Sequence, residues 1–272
     1  MSKSPSFFGR FYTGLILLFL YAPIFVLVVF SFNSTRSRSV WTGFSLEWYR
    51  RLFSDSAVLG AFYTTIAVSL LSAVIATIAG TFATVGFHNM RRKWRTPLTQ
   101  INNIPMMNAD IVTGVSLCLL FVSLGSLLRF RLGFATLLIA HITFNIPYVI
   151  LSIMPKLRQL DNNLVDAAMD LGCTWMQAFR KVIIPEIMPG IINGLIIAFT
   201  LSIDDFVISY FTAGGNVMTL SMTIFAMTRR RISPEINALS TILFLSVLIL
   251  LIVINIREVK QEEKLKKQKA QL

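Results

Sequence analysis

Two aspartates stand side by side in one of the most apolar stretches of this chain, Asp204 and Asp205 in "SIDDFVISYF". No charge lies between Glu186 and the pair, and none follows until Arg229. An ionised carboxylate in hydrocarbon costs about 3 kcal/mol even on the mildest insertion scales, so such residues point to function. On one continuous helix the two side chains point about 100° apart. Asp205 then shares a face with Ser202, Ser209 and Thr212, a polar stripe suited to a water-filled path. Asp204 shares its face with Thr200, Ile208 and Phe211, as a helix contact would. This ranks Asp205 ahead of Asp204 as the group that meets a cation, with Tyr210 or Phe206 able to add cation–π attraction. The structural alternative is that one or both pair with Arg129 or Arg131, or cap a broken helix end. Asp110, in "NADIVTG", lies roughly ten residues into another apolar run that begins at 101, and belongs either to the same path or to a contact with a partner subunit. A chain of amines suits these carboxylates, because each ammonium needs an anionic or aromatic partner once out of water. An anionic cargo would be repelled.

A second chemistry-bearing stretch is "LDNNLVDAAMDLGCTWMQAFRKVIIPEIMPGI", residues 160–191. Asp161 is placed to cap a short helix through Asp170, and Gly172 falls where a left-handed C-terminal residue would. Thr174 with Gln177 reads as a capping box opening a second helix. Pro185 and Pro189 are expected to end it and lead the chain back toward the apolar runs. Two short helices joined by a glycine and presenting Trp175, Met176 and Phe179 form either a docking surface or an amphipathic hairpin on a bilayer.

The elements that must position these residues are membrane spans. The chain is 55% hydrophobic and only 14% charged, well below the roughly one-quarter charge of soluble domains. Apolar runs long enough for about 30 Å of hydrocarbon recur at 11–32, 58–86, 101–124, 133–153, 191–211 and 237–256. A seventh run, 206–228, is uncharged too. Six spans with both termini inside put sixteen of the 25 Lys and Arg residues inside, as the positive-inside rule asks. A seventh span would carry the basic tail outside, and Gly214–Gly215 interrupts it. Residues 212–236 are therefore expected as an outer-face element with a short helix. The fold class is all-α: one polytopic transmembrane domain, 1–272, with an inside loop at 160–190. Ser233 is expected to cap the last helix, with Pro234 and Glu235 in its first turn.

The inside loop also carries a resemblance. Asp166-Ala167-Ala168, Gly172, and then Val182, Ile184 and Pro185 resemble, at matching spacing, the EAA loop of ABC importer permeases. The departures are Asp for Glu, Val for Ile and Ile for Leu. "SFNSTRSRSVWTGFSLEWYRRLF", "HITFNIPYVI", "FTLSIDDFVISYF" and "ISPEINALSTILF" narrow it: they resemble the C-type permease subunits of spermidine/putrescine importers. The resemblance implies the MetI-like fold of type I importers and a multi-pass bacterial cell-membrane protein with both termini cytoplasmic. It implies a loop seated on a separate ATPase dimer, a second homologous permease, and an extracytoplasmic polyamine-binding protein. Asp166, Ala167, Ala168, Gly172, Trp175, Met176, Phe179 and Pro185 would serve that coupling. ATP and Mg would belong to the partner, with no cofactor on this chain. Relatives for iron, phosphate or opine-like solutes share the scaffold.

Other classes find less support. No Gly-Lys pair occurs, so a phosphate loop is absent. His88 and His141 are the only histidines, which leaves a zinc site or zinc enzyme unsupported, and His141 reads as a packed, hydrogen-bonded residue. Cys118 and Cys173 are not expected to pair. The net charge of +12 follows from topology rather than nucleic-acid binding, since no aromatic-basic patch accompanies it. A membrane-embedded aspartyl enzyme would need Asp110 and Asp205 to face each other from different helices, and an ATP-independent channel is the third reading. No catalytic or metal-binding residue is assigned.

Overall fold

The computed structural model describes residues 7–35, 40–230 and 234–269, and all regular structure in them is helical apart from one isolated bridge, Asn33 with Phe44. In chain order the helices are α1 (Phe7–Phe30), α2 (Glu47–Ser54), α3 (Ser56–Asn89), α4 (Arg92–Met107), α5 (Asp110–Leu128) and α6 (Phe134–Gln159). There follow α7 (Asn162–Asp170), α8 (Trp175–Ala178), a π turn (Phe179–Ile183), α9 (Ile184–Asp204), α10 (Val207–Thr212), α11 (Leu220–Arg230) and α12 (Pro234–Lys269). Five stretches are long and apolar enough to cross a membrane: Phe11–Phe30, α3, α5, α6 and Trp175–Asp204. In α12, Glu235–Ile249 adds a shorter apolar segment. The expected cap Ser233 lies outside the described residues.

The chain forms two compact units, residues 60–223 and residues 1–59 with 224–272. In the second of these, Asn33 organises the segment after α1. Its Oδ1 accepts from the Thr42 amide at 3.0 Å, its Nδ2 donates to the Val40 carbonyl, and its own carbonyl accepts from Trp48 Nε1 at 2.6 Å. Helix α1 leaves Phe11, Leu18 and Phe19 exposed, as lipid-facing residues would be.

Residues 60–223 hold the core. Helix α6 packs along α9, and small residues let the backbones close up. A Cβ on Gly190 would stand 3.0 Å from the Ser152 carbonyl oxygen and 3.1 Å from Ile153 Cα. Gly80 of α3 meets Val149 still more closely. Around these contacts Ala73, Ala76, Val149, Ile153, Leu157, Ile187 and Ala198 are buried.

Three expectations are corrected. The third apolar run, 101–124, is not one helix: α4 stops at Met107, Asn108 and Ala109 are extended, and α5 starts at Asp110. Asn102, Asn103, Asn108 and Asp110 are weak helix formers, and Pro105 offers no N–H to the carbonyl one turn back. The fifth run, 191–211, is broken too, at Asp205–Phe206. Finally, Pro185 and Pro189 do not end the helix that begins at Trp175. The chain widens into the π turn, in which the Ile184 amide donates to the Phe179 carbonyl, and continues to Asp204. A π turn removes the clash a proline ring would otherwise make with the preceding turn. The interruption expected at Gly214–Gly215 is present, with φ +70° at Gly214.

Candidate functional site

The break after α9 arises from its two aspartates, which are poor helix formers because short carboxylates capture nearby backbone amides. Asp205 is extended, with φ −63° and ψ 126°. Its Oδ1 accepts from the Ile208 amide at 3.2 Å and its Oδ2 from the Ser209 amide at 2.8 Å, which starts α10 as an N-terminal cap does. Its side chain is only 7% exposed, with Oδ2 3.6 Å from His141 Nε2. His141 is fully buried on α6, and its Nε2 lies 3.1 Å from Ser209 Oγ. A charge-assisted pair of amide bonds and an imidazole thus hold this carboxylate inside the bundle.

Asp204 is different. It is exposed, and among the described residues it makes no hydrogen bond and no ion pair. Arg129 and Arg131 pair with neither aspartate. Asp205 thus caps a broken helix end, as in the structural alternative, and Asp204 is the exposed carboxylate. The continuous helix on which the two faces were assigned is broken here, with Asp205 extended between α9 and α10. Tyr210 is 54% exposed, and its ring lies 5.5 Å from that of Phe206. His141 stands seven residues into α6, so the break lies about 10 Å along that helix from its Phe134 end.

A polar seam that sequence reasoning missed extends from this break. Asn145 Nδ2 donates to Ser202 Oγ at 2.7 Å, and Ser202 Oγ lies 3.1 Å from Ser72 Oγ, joining α6, α9 and α3. The signal was legible, since His141 and Asn145 are four apart on one face of an apolar helix. Thr136 Oγ1 donates to the Thr212 carbonyl at 2.8 Å and holds the far end of α10. Asp110, expected ten residues inside a span, is instead the exposed first residue of α5. One turn on, Gly114 packs closely on Val207, Ile208 and Phe211 of α10.

The loop at 160–190 has the expected local form. Asp161 caps α7 by accepting from the Asn163 amide at 3.0 Å. Gly172 has φ +88°, and the Cys173 amide donates to the Ala168 carbonyl while that of Gly172 donates to Met169, the paired bonds of a Schellman cap. Thr174 and Gln177 form the capping box. Asp166, Ala167, Trp175 and Met176 are exposed and Ala168 is half-buried. Phe179 corrects the expectation. It is buried, stacked between Trp175 at 5.5 Å and Phe82 at 5.9 Å. Leu171, 87% exposed, and Met169 form apolar surface that was not anticipated. Pro185 is exposed at the start of α9.

Residues 76–258 match the family model for the binding-protein-dependent transport system inner membrane component. The chain belongs to that family. As a binding-protein-dependent permease it is a membrane component of a transport system and not an enzyme. It is 40% identical over 228 residues to the putrescine transport system permease protein PotI of Escherichia coli (strain K12), covering 83% of this chain and 81% of the relative. It is 37% identical over 244 residues to the spermidine/putrescine transport system permease protein PotC of the same strain, covering 90% of each. Among solved structures it is similar to a bacterial ABC transporter that imports the acidic polysaccharide alginate, with TM-score 0.68, 14% identity and 94% of both chains covered. The MetNI methionine ABC transporter gives TM-score 0.60 and 19% identity over 75% of this chain and 94% of that one. These two likenesses support the MetI-like permease fold.

Proposed function

We propose that this permease forms one half of the translocation path of an ATP-driven polyamine importer. The observation that carries this is the free, exposed Asp204 at the C-terminal end of a helix broken within the bundle. A helix C-terminus presents unpaired carbonyls and a partial negative charge, and broken helices inside membranes use such ends to hold cations. Asp204 adds a full charge, and Tyr210 and Phe206 add aromatic faces. Asp110 supplies a second carboxylate on the path, and Asp205 positions the break from inside. An alkyl chain with spaced ammonium groups suits that spread of carboxylates and rings. The names of the putrescine and spermidine/putrescine relatives support the same cargo.

The experiment is Asp204→Asn in the assembled transporter, with labelled spermidine and putrescine uptake measured beside ATPase activity. Uptake is expected to fall about tenfold or more, as when one ion pair of a binding site is lost, while assembly is kept. Wild-type uptake would refute the assignment.

In this reading the 160–190 loop docks on an ATPase dimer through the exposed Met169, Leu171, Trp175 and Met176, with Asp166, Ala167, Ala168 and Gly172 shaping the turn. Phe179 anchors it from behind, and Pro185 stands exposed beside it at the start of α9. ATP and Mg sit on that partner. A second related permease completes the path, an extracytoplasmic polyamine-binding protein delivers cargo, and both termini are cytoplasmic. Gly172→Val should force a β-branched residue into left-handed backbone, which costs about 1–3 kcal/mol. No atom crowds the position (no Cβ contact within 4 Å), so the bundle should still insert. Co-purification of the ATPase and transport should both drop several-fold, and normal uptake by this variant would remove the loop from coupling.

A further inference from the structure

We propose that the groove between α4 and α6 binds an anionic phospholipid, with its phosphate at Arg95 and Arg158 and an acyl chain along α6. The groove encloses about 430 Å³ and is lined by Thr99 and Asn103 of α4 and by Ile150, Leu151, Met154, Pro155, Arg158 and Gln159 of α6. The α6 residues form two rows at four-residue spacing, so polarity changes along the helix axis. Ile150, Leu151, Met154 and Pro155 are apolar, and one turn on come Arg158 and Gln159. The gradient covers about 12 Å, and it is that of a lipid standing in a leaflet, tail toward the hydrocarbon and head toward water.

The polar end is unneutralised. Arg95 lies one turn before Thr99 on α4, and its carbonyl accepts from Thr99 Oγ1 at 2.8 Å. Arg95 shares a helix face with the groove-lining Thr99, four residues on, and both it and Arg158 lie within electrostatic reach of His88. Among the described residues neither has an ion pair. Arg91, Arg92 and Lys93 crowd the start of α4, and Trp94 beside them is 61% exposed, as an interfacial anchor would be. Helix α4 itself contains no buried residue, so it borders the groove without filling it. Basic pockets between transmembrane helices bind acidic head groups through this combination of charge and shape. A zwitterionic lipid presents the same phosphate but brings a cationic head group that offsets it.

The test uses the full-length chain, purified with its accompanying subunits in detergent and exposed to an equal mixture of phosphatidylglycerol and phosphatidylcholine. Native mass spectrometry then counts retained lipid. The wild type should retain phosphatidylglycerol over phosphatidylcholine. The double variant R95Q/R158Q should lose roughly 30-fold in that retention, about fivefold for each basic group near the membrane surface. R95K/R158K should restore it, and K181Q, away from the groove, should leave it unchanged. Three results would overturn the proposal. They are equal retention of the two lipids, displacement of phosphatidylglycerol by inorganic phosphate, and a cross-link from a cysteine at Gln159 to a neighbouring subunit that covers the groove.

Discussion

Asp205→Ala is expected to leave little folded permease in the membrane. The carboxylate is 7% exposed and satisfies the amides of Ile208 and Ser209. Each hydrogen bond to a charged group contributes about 1.5–3 kcal/mol, and its removal strands a donor. In a bundle surrounded by lipid no water replaces the lost partner. The loss of about 3–5 kcal/mol is a large share of the 5–15 kcal/mol typical of a folded domain. His141 would also lose the anion beside Nε2. Thermal unfolding of the detergent-solubilised protein, followed by size-exclusion chromatography, should show a midpoint lowered by about 10 °C. Asp205→Asn should fall between, because one amide oxygen can still accept, and Asp204→Asn should melt as the wild type does. If Asp205→Ala melted normally and lost only uptake, Asp205 would belong in the path and the two aspartates would exchange roles.

Gly214→Val should be comparably damaging at the other end of α10. Gly214 has φ +70°, and a Cβ there would stand 2.5 Å from the Leu132 carbonyl oxygen. Both the backbone conformation and the space exclude a β-branched residue. Strain of about 1–3 kcal/mol at such a residue adds to the displacement of Leu132, whose backbone cannot swing aside as a side chain can. Relief requires moving the segment after α10, and Thr212 is tied through its carbonyl to Thr136. The movement therefore reaches Asp205 and the break. Membrane-inserted but unstable protein is expected, with uptake lost below about one-tenth of wild type. Gly215→Ala next door, where no atom lies within 4 Å of the added Cβ, should be tolerated. Equal behaviour of the two variants would show that the turn at Gly214 does not hold α10.

Much of this protein was legible in its residues because membranes simplify the reading. Long uncharged runs have to become helices, since every backbone group must be satisfied within the segment. The all-α class followed from that alone. The caps at Asp161, Thr174 and Gly172 were equally legible, because each depends on neighbours within a few residues. The family resemblance in the 160–190 loop rested on the same short-range spacing, and the match over residues 76–258 agrees with it.

The breaks were different. Apolar runs at 101–124 and 191–211 looked continuous, yet the chain stops α4 at Met107 and α9 at Asp204. Polar residues in hydrocarbon-length runs can stay helical or capture amides, and tertiary neighbours decide which. His141, four residues before Asn145 on α6, is in place to receive Asp205, so the extended conformation at residue 205 pairs a carboxylate that a straight helix would have left elsewhere. Phe179 is inward for a similar reason: tertiary neighbours receive it, with Phe82 of α3 stacked on its ring. By itself the sequence determined that the long apolar runs are helical, where the short helices are capped, and that Asp204 and Asp205 stand in an apolar setting. Only the tertiary structure decided which of the two faces outward, because side-chain direction on either side of a helix break depends on the partners that hold the break open.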